Sequence, residues 1–177
     1  MRFSLIALIC ICFSLVSFTT GDTGADNNET WRTRVGQEVP SFNFQLRGGQ
    51  PLSIDAYRGK VVLLNFFATW CPHCRRELPH VQEQLWDKHG ENPDFEVLVL
   101  AREEDWDKLD PFIEQHGYTF PIIPDLDRKV FSKFAPQTIP RNVILDRNGI
   151  IIYQSIGYSS EEFAKMVSVI EQELAGD

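Results

Sequence analysis

The chain has 177 residues, of which 43% are hydrophobic and 12% aromatic, enough apolar material for one domain with a buried core. Its formal net charge is −8. An acidic surface repels phosphate backbones, so the charge argues against a nucleic-acid partner and is otherwise typical of a soluble globular protein.

Residues 1–21 have the pattern of a secretory signal peptide. Arg2 supplies the positive start, the stretch 3–18 is almost entirely apolar, and small residues follow it. The apolar stretch is short for a membrane span, although an uncleaved N-terminal anchor is the alternative. Removal of this segment would leave Cys71 and Cys74 as the last two cysteines. The pattern predicts export to a bacterial periplasm or to the extracytoplasmic face of a membrane, where disulfides persist.

Residues 22–34 are polar and lack periodicity, so they predict a flexible tether, which an uncleaved signal would convert into a membrane tether. The folded domain is then expected to cover residues 35–177. Its first predicted element is a β-hairpin, because residues 42–46 alternate between apolar and polar side chains before a Gly-Gly turn. Residues 61–68 form an almost continuous apolar run, as in a central strand buried on both faces.

The next segment changes from strand to helix periodicity. Between positions 74 and 85 apolar residues recur every three or four positions, which predicts an amphipathic helix that Pro79 should kink. Residues 95–100 predict the following strand, and residues 106–116 predict a helix that ends at Gly117.

The C-terminal part contains a hairpin signal and a capping signal. Residues 143–145 and 150–153 flank an Asp-Arg-Asn-Gly turn, which predicts a second hairpin. Ser159 with Glu162 three residues later predicts the capped start of a closing helix. The order is strand pair, strand, helix, strand, helix, hairpin, helix. This order predicts one α/β domain with a mixed central sheet.

The motif Trp70-Cys71-Pro72-His73-Cys74 lies where the buried strand passes into the helix. Unpaired N–H groups and the positive end of the helix dipole should stabilise a thiolate at Cys71, and Pro72 suits the first helical turn. Cys74 shares the apolar stripe and should face inward. The asymmetry predicts that Cys71 attacks and Cys74 resolves. A static disulfide or half of a zinc site is the alternative, but no second cysteine pair completes a zinc site.

The run Phe-Phe-Ala-Thr-Trp-Cys-Pro-His-Cys at 66–74 resembles the active-site strand and loop of the thioredoxin superfamily, and more narrowly the TlpA/ResA-like exported thiol–disulfide oxidoreductases. Gly-Gln-Glu-Val-Pro at 36–40, Gly-Lys-Val-Val at 59–62 and Thr-Ile-Pro at 138–140 extend the resemblance to residues 35–175. It implies a thioredoxin fold, with a mixed β-sheet flanked by helices and an N-terminal β-hairpin extension. It also implies protein thiol or disulfide substrates, an upstream membrane or exported redox partner, and no cofactor besides the redox-active disulfide.

The same resemblance implies roles for three more residues. Pro140 would follow a cis peptide bond beside the cysteines and leave the backbone of Ile139 free to pair with a substrate chain as a strand. Glu77 matches an acidic residue that this group carries three positions after its second cysteine. It would accept and return the proton that Cys74 must lose. A solvated glutamate paired with a neighbouring arginine is the alternative.

Further residues bear on the redox properties. Thioredoxin has a buried aspartate where this chain has Asn65, and an amide does not shuttle protons in that way, which moves the role to Glu77 or water. A cationic or hydrogen-bond-donating His73 would favour the Cys71 thiolate and make the couple more oxidising. Trp70 is expected to pack beside the disulfide as an apolar shield. The motif Cys-Pro-His-Cys resembles the redox centre of protein oxidants, whereas the sequence around the motif resembles that of exported protein reductants. We favour reduction or general exchange over net oxidation as the function.

Two other functions occur in related folds. A copper-binding metallochaperone of the thioredoxin fold would take a histidine ligand from the loop near Pro140, where this sequence has none. A peroxiredoxin-like peroxidase would place its reactive cysteine after proline and threonine at a wider spacing and outside a Cys-x-x-Cys pair. The remaining histidines show no metal-ligand spacing, so the sequence predicts no resident metal.

Overall fold

The computed structural model describes residues 31–176, which form a five-stranded sheet, a separate two-stranded hairpin and flanking helices. The strands are β1 (Asn43–Gln45), β2 (Pro51–Ser53), β3 (Val61–Phe67), β4 (Phe95–Arg102), β5 (Ile122–Asp125), β6 (Arg141–Leu145) and β7 (Ile151–Ile156). The α-helices are α1 (Pro72–Val81), α2 (Asp87–His89), α3 (Trp106–His116), α4 (Phe131–Phe134) and α5 (Ser160–Ala175). A 3₁₀ turn covers Ile54–Tyr57, and a π-helical turn covers Gln82–Trp86.

The large sheet is mixed, with the strand order β5-β4-β3-β6-β7. β3 pairs in parallel with β4 and antiparallel with β6, while β5 is parallel to β4 and β7 is antiparallel to β6. The predicted mixed sheet flanked by helices, with an N-terminal hairpin formed by β1 and β2, is confirmed. The central strand β3 ends just before the cysteine motif. The motif therefore lies at the carboxyl end of the middle strand of the sheet.

All seven residues of β3 are buried because the strand separates two apolar cores. Leu63 and Phe67 point into a core that they share with residues of α1, α3 and α5. Leu64 and Phe66 point the other way, into a core that contains Phe131 of α4 and residues of the hairpin. Alternate side chains of one strand thus fill opposite faces, which is why its sequence is almost continuously apolar.

The helix after the cysteine motif changes its geometry soon after Pro79. α1 is followed directly by the π-helical turn Gln82–Trp86 and then by α2. The N–H of Gln82 is shared between the carbonyl oxygens of Leu78 and Pro79. Proline removes one N–H donor from the helical ladder, and a widened turn is one way for the chain to continue. The irregularity expected at Pro79 therefore takes the form of a widened turn within a continuous helical segment.

Two short elements, β5 and α4, have no counterpart in the sequence predictions. Each contains four residues, too few to show a reliable periodicity. Asp125 at the end of β5 accepts the N–H groups of Val130 at 3.0 Å and Phe131 at 2.8 Å. This buried carboxylate links the strand to the beginning of α4. Both elements thus depend on contacts between segments rather than on local propensity.

Residues 31–34, which the sequence assigned to the tether, pack on the domain. The N–H of Arg32 donates to the carbonyl of Phe134 at 2.7 Å, and the side chain of Gln154 donates to the buried Thr33 hydroxyl at 2.6 Å. The folded part therefore begins before residue 35. The predicted signal and the rest of the predicted tether lie outside the described residues. Between residues 31 and 176, no helix has the length and apolar character needed to cross a bilayer.

The closing helix α5 begins at the predicted cap. The Ser159 hydroxyl accepts the N–H of Glu162 at 3.1 Å. The Glu162 carboxylate accepts the Tyr153 hydroxyl at 2.6 Å, which ties the first turn of the helix to β7. The Ser159 cap therefore stabilises the start of α5, and the Tyr153–Glu162 hydrogen bond holds that start against the sheet.

We expect Ser159→Ala to lower the free energy of unfolding by about 1 kcal/mol, because a first-turn N–H loses its acceptor. Urea denaturation of the oxidised protein measures the change. Ser160→Ala, at the exposed neighbouring position, is the matched control and should shift stability by less than about 0.5 kcal/mol. Equal effects of the two substitutions would show that Ser159 does not act as a cap.

Candidate active site

Cys71 and Cys74 form a disulfide at the N-terminus of α1, with their Cα atoms 5.3 Å apart. Cys71 is the N-cap residue, and its Sγ accepts the N–H of Cys74 at 3.3 Å. Pro72 occupies the first turn, where its missing N–H costs no helical hydrogen bond. Cys71 is 4% exposed and Cys74 is fully buried. The helix terminus therefore places the outer sulfur against backbone donors and the inner sulfur inside the core.

The loop before Cys71 is held by a buried carboxylate from the segment that follows the neighbouring strand β4. Glu104, two residues after β4, is 1% exposed. It accepts the N–H of Thr69 at 2.9 Å and the Thr69 hydroxyl at 2.6 Å. This pair of hydrogen bonds fixes the backbone two residues before the reactive sulfur. Sequence reasoning did not select Glu104, because the run Arg-Glu-Glu-Asp in which it lies looks like solvated charge.

Glu77 is buried one helical turn beyond Cys74, with 2% of its surface exposed. Asn65 Nδ2 donates to its Oε2 at 2.9 Å, and Asn142 Nδ2 donates to its Oε1 at 2.6 Å. Asn65 also donates to Asn142 Oδ1 at 2.7 Å. Both carboxylate oxygens thus accept amide donors inside the protein. The alternative of a solvated glutamate paired with an arginine is wrong.

Burial raises the pKa of Glu77 from 4.5 to about 7, and the two amide donors oppose that rise. A carboxyl group with a pKa near neutrality can take up or release a proton under physiological conditions. Such a group, one helical turn from a thiol that must deprotonate, suits proton transfer.

Asn142 is a site residue that sequence reasoning missed. It pairs in register with Asn65 across β3 and β6, so both amides reach the same carboxylate. Asn65 is the one polar residue of the buried strand β3, and Asn142 follows Arg141 in the buried strand β6. A buried amide needs hydrogen-bond partners. Two asparagines at buried positions of neighbouring strands were therefore the sequence signal that could have identified Asn142.

The predicted substrate-pairing residues lie beside the disulfide. The Ile139–Pro140 peptide bond is cis. The carbonyl oxygen of Ile139 lies 3.8 Å from Sγ of Cys71. The structure therefore brings Ile139 and Pro140 to the outer cysteine, as the resemblance implied.

His73 and Trp70 are both exposed. Nη2 of Arg76 lies 2.9 Å from Nδ1 of His73. Because a guanidinium only donates, this ring nitrogen acts as the acceptor. Trp70 is 61% exposed, so it presents an apolar surface to solvent at the position next to Cys71 in the chain.

A groove of about 590 Å³ adjoins His73. Trp31 lies on its wall, together with residues 154–159 and Glu162 from β7, the following loop and α5. The groove is open to solvent and is lined by His73 of the Cys-x-x-Cys motif, so it could accommodate part of an approaching chain.

The other histidines make aromatic contacts. His80 stacks on Tyr158, with ring centroids 5.8 Å apart, and His116 stacks on Tyr118 at 5.4 Å. His89 meets Phe95 edge to face. Within residues 31–176, no group of three or more histidine, cysteine or acidic side chains is arranged to hold a metal ion.

A disulfide at a helix N-terminus, beside a cis-proline loop and on a mixed sheet flanked by helices, defines a thiol–disulfide oxidoreductase of the thioredoxin fold. The sequence model of the Redoxin family matches residues 34–174, and the chain belongs to this family.

Several relatives share this chemistry. The chain is 28% identical over 160 residues, 90% of each chain, to the thiol–disulfide oxidoreductase ResA of Bacillus cereus. It is 33% identical over 117 residues, 65% of each chain, to ResA of Geobacillus thermodenitrificans. The solution structure of a candidate protein disulfide isomerase from Bacteroides thetaiotaomicron is 35% identical, with a TM-score of 0.80 over 84% of this chain and 94% of that one. StoA from Bacillus subtilis is 26% identical, with a TM-score of 0.61 over 73% and 97%.

The raised pKa of Glu77 predicts a pH-dependent stability. Between pH 4.5 and about 7 the folded state retains a proton that the unfolded state releases, so this contribution is complete below pH 4.5 and lost as the pH rises through 7. The loss is on the order of 3 kcal/mol. In Glu77→Gln this pH-dependent loss should be absent.

Urea denaturation of the oxidised protein at a series of pH values measures this difference. Glu83→Gln, an exposed glutamate in the same helical segment, is the matched control and should follow the wild-type profile. Parallel pH profiles for wild type and Glu77→Gln would contradict the assignment.

Proposed function

We propose that this chain is an exported oxidoreductase for protein thiols and disulfides, in which Cys71 attacks and Cys74 resolves. The observation that carries the proposal is the position of Cys71 Sγ, which accepts an N–H at the tip of α1 and lies 3.8 Å from the Ile139 carbonyl. Backbone donors and the helix dipole stabilise the thiolate over the thiol, and the thiolate is the attacking species.

The reduced enzyme begins the reaction with a Cys71 thiolate. This thiolate attacks one sulfur of a substrate disulfide, the substrate S–S bond breaks, and the second substrate sulfur leaves as a thiolate that takes a proton. The product is a mixed disulfide between Cys71 and the substrate.

The second step needs a thiolate at the buried Cys74. Ionised Glu77 would accept the Cys74 proton, and the Cys74 thiolate would then attack Cys71 Sγ. The mixed disulfide breaks, the remaining substrate sulfur leaves and is protonated, and the Cys71–Cys74 disulfide forms. Two electrons have then passed from the enzyme to the substrate. The pKa of Glu77, raised by burial to about 7, supports this role.

Substrate binding is proposed to use backbone pairing at Ile139. The residue is partly buried and precedes the cis-proline, and its carbonyl lies next to the reactive sulfur. An extended substrate segment that pairs there would place its disulfide at Cys71. Trp70 would add apolar contact area at the same edge, because most of its ring is exposed.

We favour reduction or general exchange over net oxidation. The sequence around the Cys-x-x-Cys motif resembles that of exported reductants. An upstream redox partner would return electrons to the disulfide. The signal-like residues 1–21 support an extracytoplasmic location.

Cys74→Ser should accumulate mixed disulfides with the natural substrate, because the resolving sulfur is gone while Cys71 still attacks. Expression in the native host followed by non-reducing electrophoresis and mass spectrometry of the adducts measures this. Cys71→Ser is the matched control and should form no adducts and reduce no insulin above the uncatalysed rate. Equal trapping by both variants would reverse or abolish the assigned roles.

Glu77→Gln should slow the resolving step by about 100-fold and leave the first attack nearly unchanged. Rapid acid quenching with a disulfide-containing peptide separates the two steps. In the wild type, the resolution rate should rise as the pH increases through about 7, because Glu77 becomes ionised. The variant should lose this rise, whereas Glu83→Gln should keep it. An unchanged resolution rate would remove Glu77 from the mechanism.

A further inference from the structure

We propose that Arg141 and Trp31 form a positioning unit that holds the substrate-pairing loop, residues 137–140, in the shape that protein substrates require. The inference rests on the proposed function, since it concerns how substrates reach the disulfide. It adds two residues, one of them from the predicted tether, to those that determine specificity.

Arg141 follows the cis-proline directly and is fully buried. Its Nε lies 2.9 Å from the carbonyl oxygen of Thr138 and 3.1 Å from that of Gln137, and its Nη2 lies 2.8 Å from the Gln137 oxygen. One guanidinium thus binds two successive carbonyls of the loop. Charged donors in a buried setting make strong hydrogen bonds, and the planar fork fixes their direction.

The loop needs such support because Thr138 has a φ of +69°. A β-branched residue in the left-handed region is unfavourable and persists only where its surroundings hold it. The bond from Arg141 to the Thr138 carbonyl supplies part of that support. The next residue is Ile139, whose carbonyl faces Cys71. A change in the backbone at Thr138 would therefore turn the pairing edge away from the reactive sulfur.

Trp31 packs against the guanidinium of Arg141. The Arg141 carbon Cζ lies 4.4 Å from the centroid of the Trp31 ring, a distance typical of a cation–π contact. The tryptophan is in turn held by its neighbour Arg32, whose backbone N–H donates to Phe134 at 2.7 Å and whose side chain donates to the Ser132 carbonyl at 2.6 Å. The segment before residue 35 is thus connected to the substrate loop.

The contacts described for Arg141 are to the loop carbonyls and to Trp31, so we infer that both residues act through the loop. A protein or peptide disulfide that pairs with the backbone of Ile139 depends on the loop conformation. A small disulfide without a peptide backbone reaches Cys71 without such pairing. Substitutions in the positioning unit should therefore lower the rate of reduction of the peptide disulfide and leave the rate with the small disulfide nearly unchanged. A general loss of structure should lower both rates.

The test uses the reduced full chain with two substrates, a disulfide-containing peptide and hydroxyethyl disulfide. In Arg141→Lys, which keeps the charge and loses the fork, kcat/KM for the peptide should fall about tenfold through KM. Trp31→Ala should lower it about threefold, and Trp31→Phe should restore most of the loss. Rates with hydroxyethyl disulfide should stay within about twofold of wild type.

Trp106→Ala is the matched control, because Trp106 stacks with Arg47 at a similar 4.5 Å and belongs to α3 instead of the loop. Its peptide and small-substrate rates should change together. Unchanged peptide kinetics in Trp31→Ala, or equal losses on both substrates, would overturn the inference even if Arg141→Lys does not fold. A wild-type protein that reduces neither substrate would instead refute the proposed function.

Discussion

The contact between Cys71 Sγ and the first-turn N–H of α1 is the interaction on which the site depends. In most helices a hydroxyl or carboxylate oxygen satisfies such an orphan donor. Here the acceptor is Cys71 Sγ, so in the proposed reaction the donor that completes the helix would also stabilise the Cys71 thiolate. The surrounding elements keep that terminus in place. β3 delivers the chain from the middle of the sheet, and Glu104 fixes Thr69 ahead of the turn.

The proposed proton transfer uses an acid one helical turn beyond the inner cysteine, and the burial of this acid has a cost in stability. A carboxyl group inside the core loses its hydration, which raises its pKa. Asn65 and Asn142 offset part of this cost as neutral donors. Since neither amide titrates, the proton affinity of this buried network belongs to Glu77 alone. Two carboxylates in the same place would titrate as a coupled pair.

Sequence patterns predicted the secondary-structure elements whose signals are local. They did not predict the elements that depend on contacts between residues distant in sequence. The apolar run of β3 and the cap at Ser159 can be recognised from residues that are close together in the sequence. β5 and α4 do not, because the carboxylate of Asp125 joins them across a loop. Polar composition likewise placed Trp31 in a tether, although its ring packs on a guanidinium more than 100 residues away in sequence.

The same distinction applies to the site. Cys71 and Cys74 follow from the Cys-x-x-Cys spacing and the helix stripe, whereas Glu77, Ile139 and Pro140 required a family resemblance, because their significance lies in proximity to the sulfurs. Glu104 and Arg141 were missed since charged residues are usually solvated, and only the fold shows that both are buried.

Because the ring of Trp31 packs on the buried guanidinium of Arg141, the functional domain includes residue 31. This guanidinium orients the loop that faces Cys71, and its aromatic neighbour Trp31 is among the first described residues of the chain. Trp31 also lines the groove beside His73. Residues 31–34 therefore join the domain close to the proposed substrate loop. A boundary drawn from composition alone would separate this loop from one of its supports.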